Sequence, residues 1–284
     1  MKTHQTSPYA PVCWVTRGHR RVKITPVFWH MAISTTVVAA IPSRYASVRF
    51  PGKPLAPIAG KPMIQHVVER VRQAKTVNRV VVATDDERIR AAVEGFGGEA
   101  IMTRSDHRSG TDRIAEVSAH IPADIYVNVQ GDEPLIAPET VDSVVSAMLE
   151  DSSVQIATPC IEIAEANDIM DPNIVKVVLD FDGNALYFSR APIPWVRDTN
   201  SGLAVSHWKH LGLYAFRHNA LVEYPTLPPG QLEPIEQLEQ LRWLENGFRI
   251  RVVETAHDAV SVDVPADVER VERLLRDDSR QASA

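Results

Sequence analysis

Cysteine is almost missing from this chain: Cys13 and Cys160 are the only two. Two thiols cannot build a disulfide framework, and they show no metal-ligand spacing, so a reducing, cytoplasmic compartment is the expectation. Long apolar runs are missing as well. The longest near the front, Val37 to Ile41, stops at Pro42, far short of the ~18–20 residues that a membrane-crossing helix needs. Positive charge does not dominate either. Thirty Lys and Arg face 36 Asp and Glu for a net −6, which excludes a protein whose main business is coating nucleic acid. There is no G-x-x-x-x-G-K-[ST] loop, no G-x-S-x-G elbow, no H-E-x-x-H, and no cysteine with an evident histidine partner. Walker-type loops and the common hydrolase machineries therefore drop out. Trp195, Trp208 and Trp243 form no spaced stacking platform, and His66, beside an apolar helical face, reads as structural.

Acidic residues are absent from residues 1–31, which carry Lys2, Arg17, Arg20, Arg21 and Lys23. That segment is +5, leaving −11 for the rest of the chain. It lacks the continuous apolar stretch of a secretory signal, and its basic, Ser/Thr-containing composition is also that of an organelle transit peptide. The expectation is a dispensable extension over residues 1–33, disordered or upstream of a start at Met31, with the folded domain beginning near Ser34.

What is present is an ordinary globular balance: 284 residues, 44% hydrophobic and 23% charged, enough for a sizeable core. Thr36–Ile41, Arg79–Ala83, Ala100–Met102 and Ile125–Val129 read as short apolar strands. Between them lie helical patterns: Met63, Ile64, Val67, Val68, Val71 and Ala74 share one face, and further helices are expected from Asp85, from Thr111 to His120 and from Pro138 to Glu150. Alternating apolar strands and helices predict an α/β fold with a mostly parallel sheet covered on both faces, its ligands beyond the carboxyl ends of the strands. After residue 154 the rhythm changes to longer strands at 154–159, 173–180, 185–189 and 209–217. A helix at 233–246, a strand at 248–254 and a helix at 265–275 follow. Residues 191–206 read as a flexible loop, expected to form part of a lid.

The loop after the first strand concentrates charge. Arg44, Arg49 and Lys53, with Ser47 between them, fall within ten residues, and Gly52 and the prolines shape the turn. Arginine forks and a lysine point charge immediately after a strand suit the phosphates of a nucleoside triphosphate. A second loop, Gln130-Gly131-Asp132-Glu133, puts a carboxylate at a strand end beside a glycine, and Asp263 precedes the last helix. Each is a candidate Mg²⁺ ligand, because magnesium takes one or two carboxylates and completes its shell with phosphate oxygens and water. Asp180-Phe181-Asp182 has the D-x-D form of a glycosyltransferase metal site, but it runs into Gly183 between two apolar strands and reads as a hairpin turn.

These residues resemble a known family. Pro42 to Leu55, Ala83-Thr84-Asp85, His107 to Arg113, Asn128 to Pro134, Val175 to Val178, Tyr187 to Ala191, His210 to Tyr214, Leu238 to Arg242 and Val262 to Asp267 are similar, in order, to the signature of the 3-deoxy-manno-octulosonate (Kdo) cytidylyltransferases. The likeness spans about residues 36–275. It implies a Rossmann-like, mostly parallel nucleotidyltransferase sheet of the glycosyltransferase-A kind, with a smaller mixed β lobe for sugar binding and dimerisation. The nucleotide half would be about 36–150, the sugar half 151–278, and 279–284 a tail. The implied reaction joins CMP from CTP to the anomeric hydroxyl of Kdo, with Mg²⁺, in a homodimeric enzyme supplying lipopolysaccharide synthesis. Carried onto this chain, Arg44, Ser47, Arg49 and Lys53 would hold the triphosphate. Thr84, Asp85, Ser109, Gly110 and Arg113 would line the nucleoside, and Asp132 and Asp263 would ligate the metal. Gln130, Arg190, His210, Tyr214, Glu239 and Gln240 would shape the sugar pocket, with Gln130 also touching CTP. Ser43, Val48 and Phe50 depart from the familiar pattern without removing a charged group. A nine-carbon acylneuraminate or an 8-amino sugar would need the same chemistry; the ending Lys53-Pro54-Leu55 favours Kdo.

Overall fold

The structure is a computed structural model in which residues 14–17, 20–23, 35–46, 49–198, 202 and 205–281 are described. Residues 1–34 and 35–284 form two separate compact units. In the first, Trp14–Arg17 pairs antiparallel with Arg20–Lys23. Most of the expected extension, Ser47 and part of the 191–206 loop lie outside the described residues.

The second unit is built on one ten-stranded sheet. In chain order its strands are β1 (Val37–Ser43), β2 (Arg79–Thr84), β3 (Ala100–Met102), β4 (Ile125–Asn128), β5 (Ile156–Glu162), β6 (Lys176–Leu179), β7 (Ala185–Ser189), β8 (Trp208–His210), β9 (Tyr214–Arg217) and β10 (Ile250–Glu254). The helices are α1 (Met63–Val71), α2 (Glu87–Gly95), α3 (Gly110–His120), α4 (Pro138–Glu150), α5 (Ala166–Met170), α6 (His218–Glu223), α7 (Leu232–Glu236), α8 (Gln240–Glu245) and α9 (Pro265–Gln281). The order across the sheet is β7-β6-β8-β5-β9-β4-β1-β2-β3, with β10 on the other edge of β5.

β3, β2, β1 and β4 run parallel, as the apolar strand–helix alternation predicts. β1 is central and buried on both sides. Val37, Ala39 and Ile41 pack toward α1 and α4, while Val38 and Ala40 join the core beneath α3, which is why the strand reads as an unbroken apolar run. The helices start on local signals: Asp86 caps α2 through Arg88 N at 2.9 Å, Ser109 and Asp112 form a reciprocal capping box on α3, and Pro138 opens α4.

The second half is antiparallel where it meets the first: β9 lies against both β4 and β5. The strand expected at 209–217 is two strands. His210 pairs with Cys160 and Ala215 with Ala157, so four residues on one strand face only Thr158 and Pro159 on the other. Pro159 has no N–H to give the ladder. Leu211 to Leu213, which take up the two-residue surplus, bulge from the sheet toward the loop that follows β4. The helix expected at 233–246 is likewise broken. Gln237 takes φ +53° between α7 and α8, which sinks Leu238 into the core and makes Glu239 the residue before α8. At the C-terminus α9 continues to Gln281, past the expected end at 275; no Gly or Pro intervenes to stop it.

Lys176 fastens the antiparallel lobe internally. It is fully buried, and its ammonium donates to Asp171 O at 2.8 Å, Ile174 O at 2.6 Å and Arg190 O at 2.7 Å. Burial pulls its pKa down from the ordinary lysine value. Lys176→Met should lower the unfolding free energy by about 2–4 kcal/mol, because three carbonyls lose a charged donor. A urea titration would show this as a lower midpoint at unchanged slope.

Candidate active site

The chain leaves β1 through Arg44, whose guanidinium donates to His107 O, and closes a tight loop in which Gly52 N donates to Tyr45 O at 2.9 Å. Gly52 has φ +73°, and a Cβ there would stand 3.1 Å from the Tyr45 ring. Only glycine suits both demands. The loop then delivers Lys53 into a short 3-10 turn, and Lys53 Nζ lies 2.5 Å from Asp132 and 3.7 Å from Asp263. Arg49, on the exposed rim, holds the same Asp263 at 3.0 Å. The four charges predicted from three distant segments thus form one cluster at the carboxyl ends of the parallel strands.

The two carboxylates meet for structural reasons. Gly131 lets the loop after β4 pass close to β1: a Cβ there would be 2.7 Å from Ser43 Oγ and 2.9 Å from Pro42 O. Val262 N donates to Asp132 O at 2.9 Å, and the buried Val262 side chain packs with Ile58, Met63 and Val271 beneath α9. Asp267 accepts the N–H groups of Asp263 and Val264 at 2.8 and 2.9 Å, which caps the start of α9 and holds Asp263 in place. Those backbone donors keep the Asp267 carboxyl below its usual range. No group of three or more metal-ligating side chains occurs among the described residues. Two carboxylates converging on one ammonium are nevertheless a donor set that fits a hard divalent cation whose remaining ligands come from phosphate and water.

Beside this cluster opens a cavity of about 660 Å³ bordered by Asp263, Gln130, His210, Tyr214, Glu239 and Gln240. Five of the six expected sugar-pocket residues are therefore together. The sixth, Arg190, is outside it: its guanidinium donates to Glu236 O at 2.8 Å and Pro172 O at 2.9 Å, and its N–H to Glu236 Oε2. Gln130 donates to Gly212 O in the bulge at 2.9 Å. Thr111 donates to Glu239 at 3.0 Å, yet burial still raises the Glu239 carboxyl pKa. The Tyr214 hydroxyl is buried near Thr158, and burial raises its pKa well above the ordinary phenol value.

The expected nucleoside residues cluster one strand further along. Arg113 is completely buried, 3.3 Å from Asp85 and donating to Thr103 Oγ1 at 2.5 Å. Thr84 O accepts from Thr103 N. Ser109 caps α3, and Gly110 lies where a Cβ would press Pro42 at 3.3 Å. Ser109 thus spends its hydroxyl on the scaffold, whereas Arg113 leaves Nε and Nη2 buried without a hydrogen-bond partner. Asp180 likewise accepts Asp182 N and Asn184 N, at 2.9 and 2.7 Å, inside the hairpin turn between β6 and β7, as expected of a turn and not of a metal site. His66 hydrogen-bonds Ile58 O at 2.8 Å.

Sequence reasoning passed over two neighbours. Asn128 ends β4 fully buried, with neither end of its amide satisfied; an amide in an otherwise apolar strand was the available signal. Glu133 is buried with Oε2 unpartnered, and burial pushes its carboxyl up to about 8. A cleft of similar size on the outer side of α3, bordered by Arg104, Arg108 and Arg242, includes none of the cluster's carboxylates.

A cytidylyltransferase family profile matches residues 38–251. The chain is 52% identical over 248 residues to the 3-deoxy-manno-octulosonate cytidylyltransferase of Geobacter sulfurreducens, covering 84% of this chain and 99% of that one. To the protein of the same name from Pelobacter propionicus it is 53% identical, covering 84% and 97%. Among solved structures, CMP:2-keto-3-deoxy-manno-octonic acid synthetase complexed with CTP superposes with a TM-score of 0.82 at 47% identity, over 86% of this chain and 100% of that one. A Bacillus anthracis protein described as a glucose-1-phosphate thymidylyltransferase shares the fold, at a TM-score of 0.61 and 14% identity, over 85% and 96% of the two chains.

Desolvation pulls the His210 imidazole down to about 3. Between pH 6.5 and about 3 the unfolded chain binds a proton at this residue that the native state refuses, so its contribution to stability is full above pH 6.5 and falls as the pH drops. His210→Gln should flatten the pH dependence of unfolding over that window. The change should be smaller than the ~1.4 kcal/mol per pH unit of one full proton, because one side of the ring meets the cavity. Urea titrations of both proteins at pH 6.5, 5.5 and 4.5 measure it.

Proposed function

The chain belongs to the 3-deoxy-manno-octulosonate cytidylyltransferase family, and from that premise we propose that it transfers CMP from CTP to the anomeric hydroxyl of Kdo, releasing pyrophosphate. One observation carries the reading: Arg49, Lys53, Asp132 and Asp263 form a single charge cluster at the mouth of a cavity of sugar size.

The chemical obstacle is that a carboxylated sugar must approach an anionic α-phosphate, and the phosphorus must meet a hydroxyl that has lost its proton. Asp132 and Asp263 would hold Mg²⁺, which when bound supplies positive charge to the phosphate oxygens and acidifies the attacking hydroxyl. Lys53 and Arg49 are the cations nearest those carboxylates, placed to draw the triphosphate in and to balance charge as pyrophosphate leaves. Arg44 would extend the cationic stretch, and Thr84, Asp85, Ser109, Gly110 and Arg113 would border the nucleoside. In the cavity, Gln130, His210, Tyr214, Glu239 and Gln240 offer a mixed wall of donors and acceptors suited to a polyhydroxylated acid. Most of these groups are held by the protein's own hydrogen bonds, so orientation need not be created when the sugar arrives.

The wider reading is a cytoplasmic enzyme supplying activated Kdo for lipopolysaccharide. Among the described residues no helix is long and apolar enough to cross a membrane. A homodimer is part of it; Leu186 on the outermost strand β7, and Trp195 and Ile235, are exposed apolar side chains available for such a contact.

Pyrophosphate release with CTP and Mg²⁺ tests the function, comparing Kdo, its 8-amino analogue and N-acetylneuraminate. Release with Kdo alone is the expected result; release with another sugar alone would move the error to the pocket, and none at all would end the reading. Asp132→Asn and Asp263→Asn should each reduce kcat by about 10²-fold or more, as loss of a metal ligand or charge stabiliser does. Asp180→Asn with Asp182→Asn should leave it within about twofold, since surface turn substitutions rarely reach the chemistry.

A further inference from the structure

The bulge at Leu211–Leu213 takes carbonyl groups off the ladder, and a single buried hydroxyl stands against two of them. Carbonyl groups that lose their ladder partners inside a protein need another donor. Gly212 O is served by Gln130. Leu211 O and Leu213 O both face Thr158 Oγ1, at 3.3 and 2.7 Å. The same oxygen lies 2.9 Å from His210 Nε2, and Thr158 is fully buried on β5.

A hydroxyl has one proton and can also accept. Leu213 O can only accept, and it is the shortest of the three contacts, so the Thr158 proton goes there. Thr158 Oγ1 must then accept from His210, which places the imidazole proton on Nε2. With its pKa pulled down to about 3, the ring is neutral at physiological pH, so Nδ1 carries no proton. Phe188 edge-on at 5.0 Å and Tyr214 at 5.3 Å hold the ring between them.

We propose that Thr158 is a positioning residue for the cavity: its hydroxyl locks His210 as the Nε2–H tautomer, so that His210 offers an acceptor, Nδ1, to a hydroxyl of the incoming sugar. The kinetic half of this rests on the functional reading above; the tautomer does not. Nothing in the composition or spacing of the strand would single out Thr158, because the need for its hydroxyl arises only once Pro159 breaks the ladder.

Two-bond ¹H–¹⁵N correlation spectra of the full chain read the tautomer directly, with His210 assigned by its loss in His210→Gln. The expected spectrum has a protonated Nε2 and a bare Nδ1, kept in Thr158→Ser and lost or averaged in Thr158→Val. In pyrophosphate-release assays Thr158→Val should raise KM for Kdo about tenfold, the worth of one oriented hydrogen bond, with KM for CTP little changed. Thr158→Ser should restore it. A proton on Nδ1 in the unmutated protein overturns the proposal, and so does a Thr158→Val protein that loses the tautomer but keeps its KM for Kdo. If Thr158→Val does not fold, the unmutated spectrum and the serine variant still decide. Absence of turnover by the unmutated protein would sink the functional reading and the kinetic half with it, while the spectrum alone still judges the tautomer.

Discussion

Everything in the candidate site hangs on Lys53, whose ammonium lies within 3.7 Å of both Asp132 and Asp263. Those carboxylates come from segments far apart in sequence, one after β4 and one before α9, and like charges do not approach each other without a reason. The backbone supplies part of it: Val262 N donates to Asp132 O, and Asp267 holds Asp263 by capping α9. Lys53, with Arg49 on Asp263, supplies the rest by balancing the pair. The same lysine is delivered by a loop that closes only because Gly52 takes a left-handed backbone against Tyr45. One ion cluster therefore ties β1, β4 and α9 together at the place where a parallel sheet opens its strand ends to ligands.

The antiparallel half contributes something the parallel half cannot. A regular ladder consumes every backbone donor and acceptor, and its side chains stand in fixed alternation. Breaking the ladder beside Pro159 frees the carbonyls of Leu211 to Leu213; Gln130, from the loop after β4, takes up Gly212 O and Thr158, from β5, takes up Leu213 O. Gln130 and His210 are thereby oriented by the irregularity itself. The bulge costs ladder bonds, but of the two side chains that repair it Gln130 borders the cavity and Thr158 holds His210, which does.

How much of this was legible depended on whether the signal was local. The parallel half could be read, because a strand buried on both faces writes itself as Val37-Val-Ala-Ala-Ile41 and a capped helix writes itself as Ser109-Gly-Thr-Asp112. The charge cluster was legible as composition, cations in one loop and carboxylates in two others, and the family likeness named its members; neither gave the distances. Two features were hidden. The αL residue Gln237 carries no glycine or asparagine to announce it, so α7 and α8 read as one helix. The split between β8 and β9 depends on a proline in a different strand, which no window along residues 208–217 contains. Arg190 stands outside the cavity: its motif position is conspicuous, but its guanidinium donates to two carbonyls of the lobe.

The cluster also explains why a site built to receive so anionic a pair of substrates is not itself strongly positive. Arg49 and Lys53 balance Asp132 and Asp263, so the folded protein does not have to hold unpaired like charges together while it waits. A bare cationic pocket would repel itself and cost stability, and a bare pair of carboxylates would do the same. Paired, each charge is already in place and already oriented, and exchange of partners is all that ligand binding requires. A divalent cation with its phosphates could take over the carboxylates while Lys53 and Arg49 turn to phosphate oxygens, leaving the count of opposite contacts nearly unchanged. On that view the ion pairs within the cluster stand in for the contacts that substrates and metal would make.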